Sequence, residues 1–319
     1  MNASISPVAR RGNLMLDIRP HTSCDFHRII MPYGHLKADP KAPVFVFNRQ
    51  PSHGIRSLVA MKQAGIKIIC DLDDHFEVGP DHVLYELFKR NKVAEIIQQS
   101  MMLADLVTCT NTELAKAIAP YAKRVEILPN ALPFDQGQFT LSQDTESDRP
   151  IVYVAGTTHR HDIMLFAGHV DEQHLTVAGH NPERKEWRKI EALFGPNINY
   201  KAETSIDQYM NLYEGHALAL APLVDTSFNR CKSNLKVLEA GAKGIPIVVS
   251  NVHPYQNCTD YDVVEYASDG SEWRKRTARL IYDEGYRLER GQQLAEHVRE
   301  HYHLEKINEV RRQIVEGIV

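Results

Sequence analysis

The sequence predicts an α/β protein made of two Rossmann-like, doubly wound domains that face each other across a cleft, followed by C-terminal helices. Short apolar, β-branched runs alternate with longer amphipathic stretches along the whole chain, which is typical of parallel sheets with crossover helices. The length of 319 residues suits two hydrophobic cores better than one. A polar stretch poor in aliphatic residues, 134–150, separates two such alternations. We therefore expect domains at 1–135 and 150–319, joined by a linker at 136–149.

In the first half, two helices and five strands are expected. The segments Ile55–Ala64 and Val93–Leu103 carry apolar residues at helical spacing. The strands are the β-branched runs at 14–18, 44–48, 66–72, 106–110 and 125–128.

The second half repeats this alternation from Ile151 onward. We expect strands at 151–156, 174–179, 198–202, 216–223, 245–250 and 262–267. Between them, helices are expected from Asp162, over 183–193, over 205–214 and from Ser233. The residues from Ser271 onward are rich in Glu, Arg, Leu and His and predict two outer helices, the last of which returns to the first domain.

Composition argues against some classes of protein and leaves a nucleic-acid acceptor open. The net charge of −4 and isoelectric point near 6.5 give no global attraction to nucleic acid. Five widely spaced cysteines (Cys24, Cys70, Cys109, Cys231 and Cys258) form no CxxC pair, so neither a disulfide framework nor a zinc site is predicted. No apolar run is long enough for a membrane-spanning helix or a signal peptide, and we expect a cytoplasmic protein.

The most informative segment is FNRCKSNLKVLEAGAKGIPIVVS, residues 228–250, in which a polar loop enters a helix that ends at Gly244. Helical spacing would place Lys232, Lys236 and Glu239 on one face, separate from an apolar face. An ordinary helix with solvated lysines and one Lys–Glu pair would have the same pattern.

The start of this helix is a candidate anion site. Free backbone amides at Ser233, Asn234 and Leu235, backed by Lys232, suit a diphosphate. Glu239, two turns along, suits the hydroxyls of a ribose.

Two segments resemble the group-one glycosyltransferases, which have the GT-B fold. Residues 104–133, ending in LPNALP, look like the segment that leads to their linker, and residues 216–248 resemble their nucleotide-sugar segment. The resemblance implies a nucleotide-diphosphate sugar as donor, and a UDP-sugar is the first candidate. It places the ribose of the donor at Glu239 and its phosphates along Lys232, Ser233 and Asn234. It also implies transfer with retention of anomeric configuration. One position departs from the family, because its E-x7-E pattern would place a Glu where this chain has Cys231.

A second candidate is AGTTHRHD, Ala155–Asp162, after the first strand of the second domain, where such folds place a phosphate-binding turn. Its predicted donor-binding residues are Gly156, Thr157 and Arg160, and His159 is assigned to catalysis. An ordinary surface turn with Asp162 as a helix cap is the alternative.

The acceptor side is expected in the first domain. CDLDDHFEVGPDH, residues 70–82, carries more carboxylates than a strand end holds comfortably without a partner. We assign Asp73 and Asp74 to catalysis, as a base on an acceptor hydroxyl or as groups that orient it. Arg28, Arg49 and His82 are candidate acceptor-side residues. No metal is required, because helix N-termini and basic side chains suffice for the diphosphate; a divalent ion is the lesser alternative.

The sequence thus predicts a glycosyltransferase with two acceptor classes open. One is a saccharide of a bacterial surface polymer, and the other is a hydroxymethylated pyrimidine in phage DNA. The basic candidates for DNA are Arg28, Arg49, Arg56, Lys89, Arg90 and Lys92. Two further hypotheses are a nucleotide-sugar epimerase of the same architecture and a non-catalytic nucleotide-sugar-binding subunit.

Overall fold

The computed structural model describes residues 8–19, 22–80, 82–143, 148–154, 156–256 and 263–318. Ala155 and Cys258, named above, lie outside these residues, as does the first residue of the strand expected at 262–267.

The first sheet has six strands in the order β1-β2-β3-β4-β5-β6. The five expected strands are confirmed, and all of them pair in parallel. The additional strand β1 pairs antiparallel with β2 at the edge; its sequence VARR lacks the apolar alternation that marks a strand. The strands are β1 (Val8–Arg11), β2 (Leu14–Asp17), β3 (Val44–Asn48), β4 (Lys67–Leu72), β5 (Leu106–Cys109) and β6 (Val125–Ile127).

Helices and turns connect these strands. A π-helical turn, Phe26–Ile30, joins α1 to α2. The side chain of Asn111 caps α6 by accepting a hydrogen bond from the Leu114 amide at 2.8 Å. The helices are α1 (Ser23–Asp25), α2 (Met31–His35), α3 (Ile55–Gln63), α4 (Tyr85–Arg90), α5 (Val93–Leu103) and α6 (Thr112–Ile118).

The second sheet has six strands in the order β12-β11-β10-β7-β8-β9, all parallel. The six predicted strands are confirmed. They are β7 (Ile151–Val154), β8 (Leu175–His180), β9 (Asn199–Ala202), β10 (Leu218–Ala221), β11 (Ile247–Ser250) and β12 (Glu265–Ala267). Both tryptophans of the chain, Trp187 and Trp273, are buried in the core beside this sheet.

Several helices of the second half differ from the prediction. The segment 205–214 forms a 3-10 helix, Ile206–Leu212, and the predicted two C-terminal helices are three. The breaks lie at Asp283, whose side chain caps α12, and at His303, whose backbone is extended. The helices are α7 (Arg160–Ile163), α8 (Trp187–Glu191), α9 (Ser227–Arg230), α10 (Leu235–Lys243), α11 (Gly270–Tyr282), α12 (Glu284–Tyr302) and α13 (Leu304–Glu316).

Helix α10 ends at Gly244, whose φ of 71° is the left-handed conformation that favours glycine. It packs closely against α12. A Cβ on Gly241 would lie 2.6 Å from a methyl group of Val298, and a Cβ on Gly291 would clash with the carbonyl oxygen of Gly244. Glycine at both positions allows the two helices to approach.

The chain divides into two compact units. The first comprises Met1–Ala131, Ser227–Ser233 and Leu304–Val319, and the second comprises Leu132–Thr226 and Asn234–His303. Helices α9 and α13 thus belong to the first unit. The functional domain limits 1–135 and 150–319 stay a prediction. Among the described helices, none has the length and apolar character needed to cross a lipid bilayer.

Candidate functional site

In the first unit, polar side chains lie at the carboxyl ends of three neighbouring strands. Asn48 ends β3, Asp71 lies in β4, and Thr108 lies in β5; all three are buried. The Thr108 hydroxyl donates to Asp71 Oδ2 at 2.6 Å, and Asn48 Nδ2 lies 3.3 Å from Asp71 Oδ1. Ligands of open α/β sheets bind at this edge, so this network supports the loops that follow.

Arg28 completes the network from the π-helical turn. Its guanidinium forms two 2.8 Å hydrogen bonds with the two carboxylate oxygens of Asp71 and a third, at 3.0 Å, with Asn130 Oδ1. Its side chain is 1% exposed. Both ions are therefore paired and hydrogen-bonded, which is what burial of charge requires. This geometry gives Arg28 a structural role in the first unit, and its acceptor-side role stays a prediction.

Asp73 and Asp74 follow the end of β4. Burial raises the pKa of Asp73, and the Asp74 carboxylate raises it further, against the opposing effect of Arg49. Arg49 Nη1 lies 3.9 Å from Asp73 Oδ1, and Arg49 has a positive φ of 62°. The Asp73 side chain remains 13% exposed. A partly accessible carboxyl group with a raised pKa is suited to accept a proton nearer neutral pH than an ordinary aspartate.

The segment 227–233 places Lys232 and Ser233 within the first unit. Asn130 Nδ2 donates to Ser233 Oγ at 2.8 Å, and Asn111 Nδ2 donates to the Lys232 carbonyl at 2.7 Å. Lys232 Nζ lies 3.9 Å from Asp74 Oδ1. The predicted helical face was therefore wrong for Lys232, because α10 begins only at Leu235 and a turn precedes it.

Two other residues of this region have defined surroundings. The His82 ring lies 5.2 Å from the Phe228 ring. Lys232 Nζ lies 5.1 Å from the centre of that same Phe228 ring, which is within cation–π range. Cys231 is buried in the apolar core of the first unit, where burial raises the pKa of its thiol to about 12. A neutral, buried thiol thus occupies the position where the family that this chain resembles has a carboxylate.

In the second unit, the first turn of α10 has backbone amides that are not hydrogen-bonded within the described residues. Asn234 precedes the helix, and its carbonyl accepts the amide of Val237 at 2.9 Å. The amides of Leu235 and Lys236 have no acceptor among the described residues. First-turn amides together with the helix dipole favour an anion at this end.

Glu239, one turn into α10, is 1% exposed. Its Oε2 accepts from Tyr213 Oη at 2.6 Å and from Lys236 Nζ at 2.9 Å. Lys236 Nζ also donates to Tyr209 Oη. Burial acts to lower the pKa of Lys236, but Glu239 and Tyr209 outweigh it and raise that pKa. Lys236 is therefore charged. Together with the phenols of Tyr209 and Tyr213 it forms a cluster around Glu239, which we call the clamp.

His159 lies after β7, at the end of a 3-10 turn, Thr157–His159. Its Nδ1 lies 2.8 Å from Asp162 Oδ2, while Asp162 Oδ1 accepts from the Val224 amide at 2.8 Å. The buried carboxylate thus orients the imidazole, which directs Nε2 away from Asp162. Gly156, Thr157 and Arg160 lie in the same turn, and Arg160 is exposed. Helix α7 ends at Ile163, so the longer helix predicted from Asp162 was wrong.

Sequence reasoning missed the partners of the predicted residues. Tyr209 lies in the 3-10 segment before β10 and Tyr213 directly follows that segment, more than twenty residues from Lys236 and Glu239. Two tyrosines four residues apart gave a weak signal for this clamp. The hydrogen bond between Asp162 and Val224 links helix α7 to the segment that follows β10, and no sequence pattern marks it. Among the described residues, no group of three or more His, Cys, Asp or Glu side chains is arranged to hold a metal ion.

Part of the chain matches a known protein family. Residues 160–309 match the model of a family described as glycosyl transferase-like; this match includes α10 and Glu239. No curated protein matches the sequence.

Solved structures share the fold at low sequence identity. Sucrose-phosphate synthase from Thermosynechococcus elongatus has a TM-score of 0.64 at 14% identity, covering 87% of this chain and 74% of that one. HepE from Anabaena, in complex with UDP-glucose, has a TM-score of 0.65 at 13% identity, covering 86% and 78%. A UDP-forming trehalose-phosphate synthase from Burkholderia xenovorans has a TM-score of 0.61 at 13% identity, covering 88% and 75%. The chain therefore has the GT-B fold with two Rossmann-like domains, and its resemblance to the group-one glycosyltransferases is confirmed.

Proposed function

We propose that this protein is a glycosyltransferase that moves a sugar from a UDP-sugar to a hydroxyl acceptor, with retention of anomeric configuration. The observation that carries the proposal is Glu239, a buried carboxylate one turn into a helix whose first amides are free. A carboxylate accepts hydrogen bonds from ribose hydroxyls, and a helix N-terminus binds phosphate. The glycosyl transferase-like match covers this helix, and UDP-glucose bound to the GT-B protein HepE supports uridine as the base.

The chemistry required is stabilisation of the departing diphosphate. The free amides of Leu235 and Lys236 and the charged side chains of Arg160 and Lys236 supply positive potential in the second unit. His159 supplies a hydrogen bond or a proton through Nε2, because Asp162 engages Nδ1. Asn234, Gly156 and Thr157 complete the proposed donor set. Lys232 and Ser233 remain proposed phosphate ligands, although neither lies on α10.

On the acceptor, Asp73 is the proposed base and Asp74 its partner. The raised pKa of Asp73 increases its proton affinity, which favours removal of a hydroxyl proton as the new bond forms. Arg49 and His82 are the proposed acceptor-side contacts. The proposed acceptors are a surface-polymer saccharide and a hydroxymethylated pyrimidine of phage DNA. For DNA, exposed basic residues are available at Arg56, Lys89, Arg90 and Lys92.

The donor assignment is tested by thermal unfolding with UDP, ADP, GDP and CDP, on the wild type and on Glu239→Ala. A ligand that binds only the folded state stabilises it by about 2.7 kcal/mol at one hundred times its Kd. We expect UDP to raise the Tm of the wild type and to have little effect on Glu239→Ala. Glu284→Gln, a 73% exposed carboxylate of the same unit, is the matched control and should respond like the wild type. No shift with any nucleotide would refute the assignment.

A non-catalytic nucleotide-sugar-binding subunit is the second candidate, favoured by one observation. Cys231 is a buried neutral thiol where the resembling family has a carboxylate. Release of UDP from UDP-glucose, measured with and without a panel of saccharide and hydroxymethylated DNA acceptors, separates the two. Transfer to any acceptor supports the enzyme, whereas binding without turnover supports the subunit.

A further inference from the structure

We infer that Tyr213 and Lys236 are positioning residues for ribose recognition. They hold one oxygen of Glu239, so that the other oxygen, Oε1, is the single acceptor offered to the ribose. This inference rests on the proposed function and defines how that site works in this chain.

The two carboxylate oxygens of Glu239 have different surroundings. Oε2 accepts two hydrogen bonds, from Tyr213 Oη at 2.6 Å and from Lys236 Nζ at 2.9 Å. Oε1 accepts none from the described residues. A carboxylate has about four acceptor sites, and Oε1 is not among the fully buried side-chain atoms that lack a partner, so it remains accessible. The unused oxygen is therefore the one that a ligand hydroxyl satisfies.

The clamp also keeps a positive charge beside Glu239. Burial acts to lower the pKa of Lys236, but Glu239 and then Tyr209 raise it, so the lysine stays charged. The Tyr213 phenol stays protonated, because burial and then Glu239 raise its pKa well above the ordinary value. Tyr213 is thus a permanent donor to Oε2, and Glu239 is an acceptor with a fixed orientation.

Orientation is set from two elements of the second unit. Lys236 is three residues before Glu239 on α10, so their contact is local. Tyr213 follows the 3-10 segment Ile206–Leu212 and is 1% exposed. Two donors from two directions on one oxygen leave the carboxylate little rotational freedom. Preorganised groups of this kind raise affinity by reducing the entropy lost on binding.

The test combines protein variants with altered ligands. Calorimetry measures the affinity of UDP and of 2′,3′-dideoxy-UDP for the wild type, Tyr213→Phe, Lys236→Gln and, as the control, Tyr282→Phe. The ratio of the two affinities reports the ribose hydroxyls alone. A hydrogen bond to a charged group gives about a 10- to 100-fold ratio, which we expect for the wild type.

In Tyr213→Phe we expect this ratio to fall at least about threefold, with the dideoxy affinity changed less than about twofold. In Lys236→Gln the ratio should fall as much, while the dideoxy affinity also drops because the lysine charge near the diphosphate is lost. Tyr282→Phe removes a phenol of the same unit that is 78% exposed and lies outside the clamp, so its ratio should stay within about twofold of the wild type. An equal loss of both affinities would mean a merely structural role and would overturn the inference, as would an unchanged ratio in both variants. Absence of UDP binding by the folded wild type would instead reject the proposed function, and the inference with it.

Discussion

Replacing His216 by leucine should remove much of the acid sensitivity of the second unit. His216 lies just before β10 and is 6% exposed. Neither ring nitrogen forms a hydrogen bond of ordinary length and angle among the described residues, although the backbone of Gly215 and Arg149 lies close enough to influence the ring. Leucine has a similar size and leaves no polar atom unpaired, so the replacement removes the titration without opening a large cavity.

The magnitude follows from the pKa. Burial lowers the pKa of His216 to about 4, Lys201 adds to this effect, and the backbone of Gly215 and Arg149 opposes it. An exposed histidine titrates near ~6.5. Below that pH the unfolded chain binds a proton that the folded chain does not, so stability falls as pH drops from about 6.5 to about 4. The wild type should lose about 2 kcal/mol at pH ~5 from this group, relative to pH ~7.5.

The assay is urea unfolding followed by tryptophan fluorescence at pH ~7.5 and pH ~5. Both tryptophans, Trp187 and Trp273, are buried in the second unit, so this signal reports the unit that contains His216. All other titrating groups are common to the two proteins, and the difference between their pH dependences isolates His216.

Between pH ~7.5 and pH ~5, we expect the free energy of unfolding of His216→Leu to decrease by about 2 kcal/mol less than that of the wild type. At the higher pH the variant should be at least as stable as the wild type. If both proteins lose the same stability, His216 titrates normally in the folded state and the reasoning is refuted.

Three further predictions follow. Gly241→Ala should lower the free energy of unfolding by about 1–3 kcal/mol, measured in urea, because the added methyl group overpacks the contact with α12. Gly285→Ala is the control and should have no such effect, since its Cβ would meet only an ordinary contact at 3.8 Å. Similar effects of the two variants would contradict close packing of α10 on α12. If Asp73 is the base, kcat/KM for sugar transfer should decrease as the pH is lowered through a pKa above the ordinary 3.8. Asp73→Asn should lose this acidic decrease in the pH profile and should still bind UDP with the affinity of the wild type. His159→Gln and Asp162→Asn should each reduce kcat by about 10- to 100-fold, and the double variant should be little worse; additive losses in steady-state kinetics would show that the pair does not act together.

The sheets were predictable because their strands carry a local signal. Runs such as VFVFN and IVYV are apolar and β-branched, and burial on both faces requires that composition. Strand β1 has no such signal, since an edge strand tolerates the two arginines of VARR. The end of α10 at Gly244 was predictable for the same local reason, because a left-handed C-cap favours glycine.

The site was predictable only in part. Glu239 and Lys236 stand out because helical spacing places them on one face. Helix α10 begins two residues later than predicted, and Lys232, which was counted on its face, lies in the turn before it. The Arg28–Asp71 pair joins residues 43 positions apart, and no local pattern shows that an arginine after one strand pairs with an aspartate in another. Contacts of this kind depend on the tertiary fold.

The composition of the first unit has a consequence for biosynthesis. Helix α13 belongs to that unit, with Val315 buried in its core and Asn308 donating to the Pro32 carbonyl at 2.9 Å. A ribosome makes these residues only after the whole second unit. Until α13 is synthesised, part of the apolar surface of the nascent first unit therefore stays exposed to solvent. Chaperones bind such surfaces. A truncated message lacking α13 should yield a first unit that stays exposed to proteases, even though it carries every strand of its sheet.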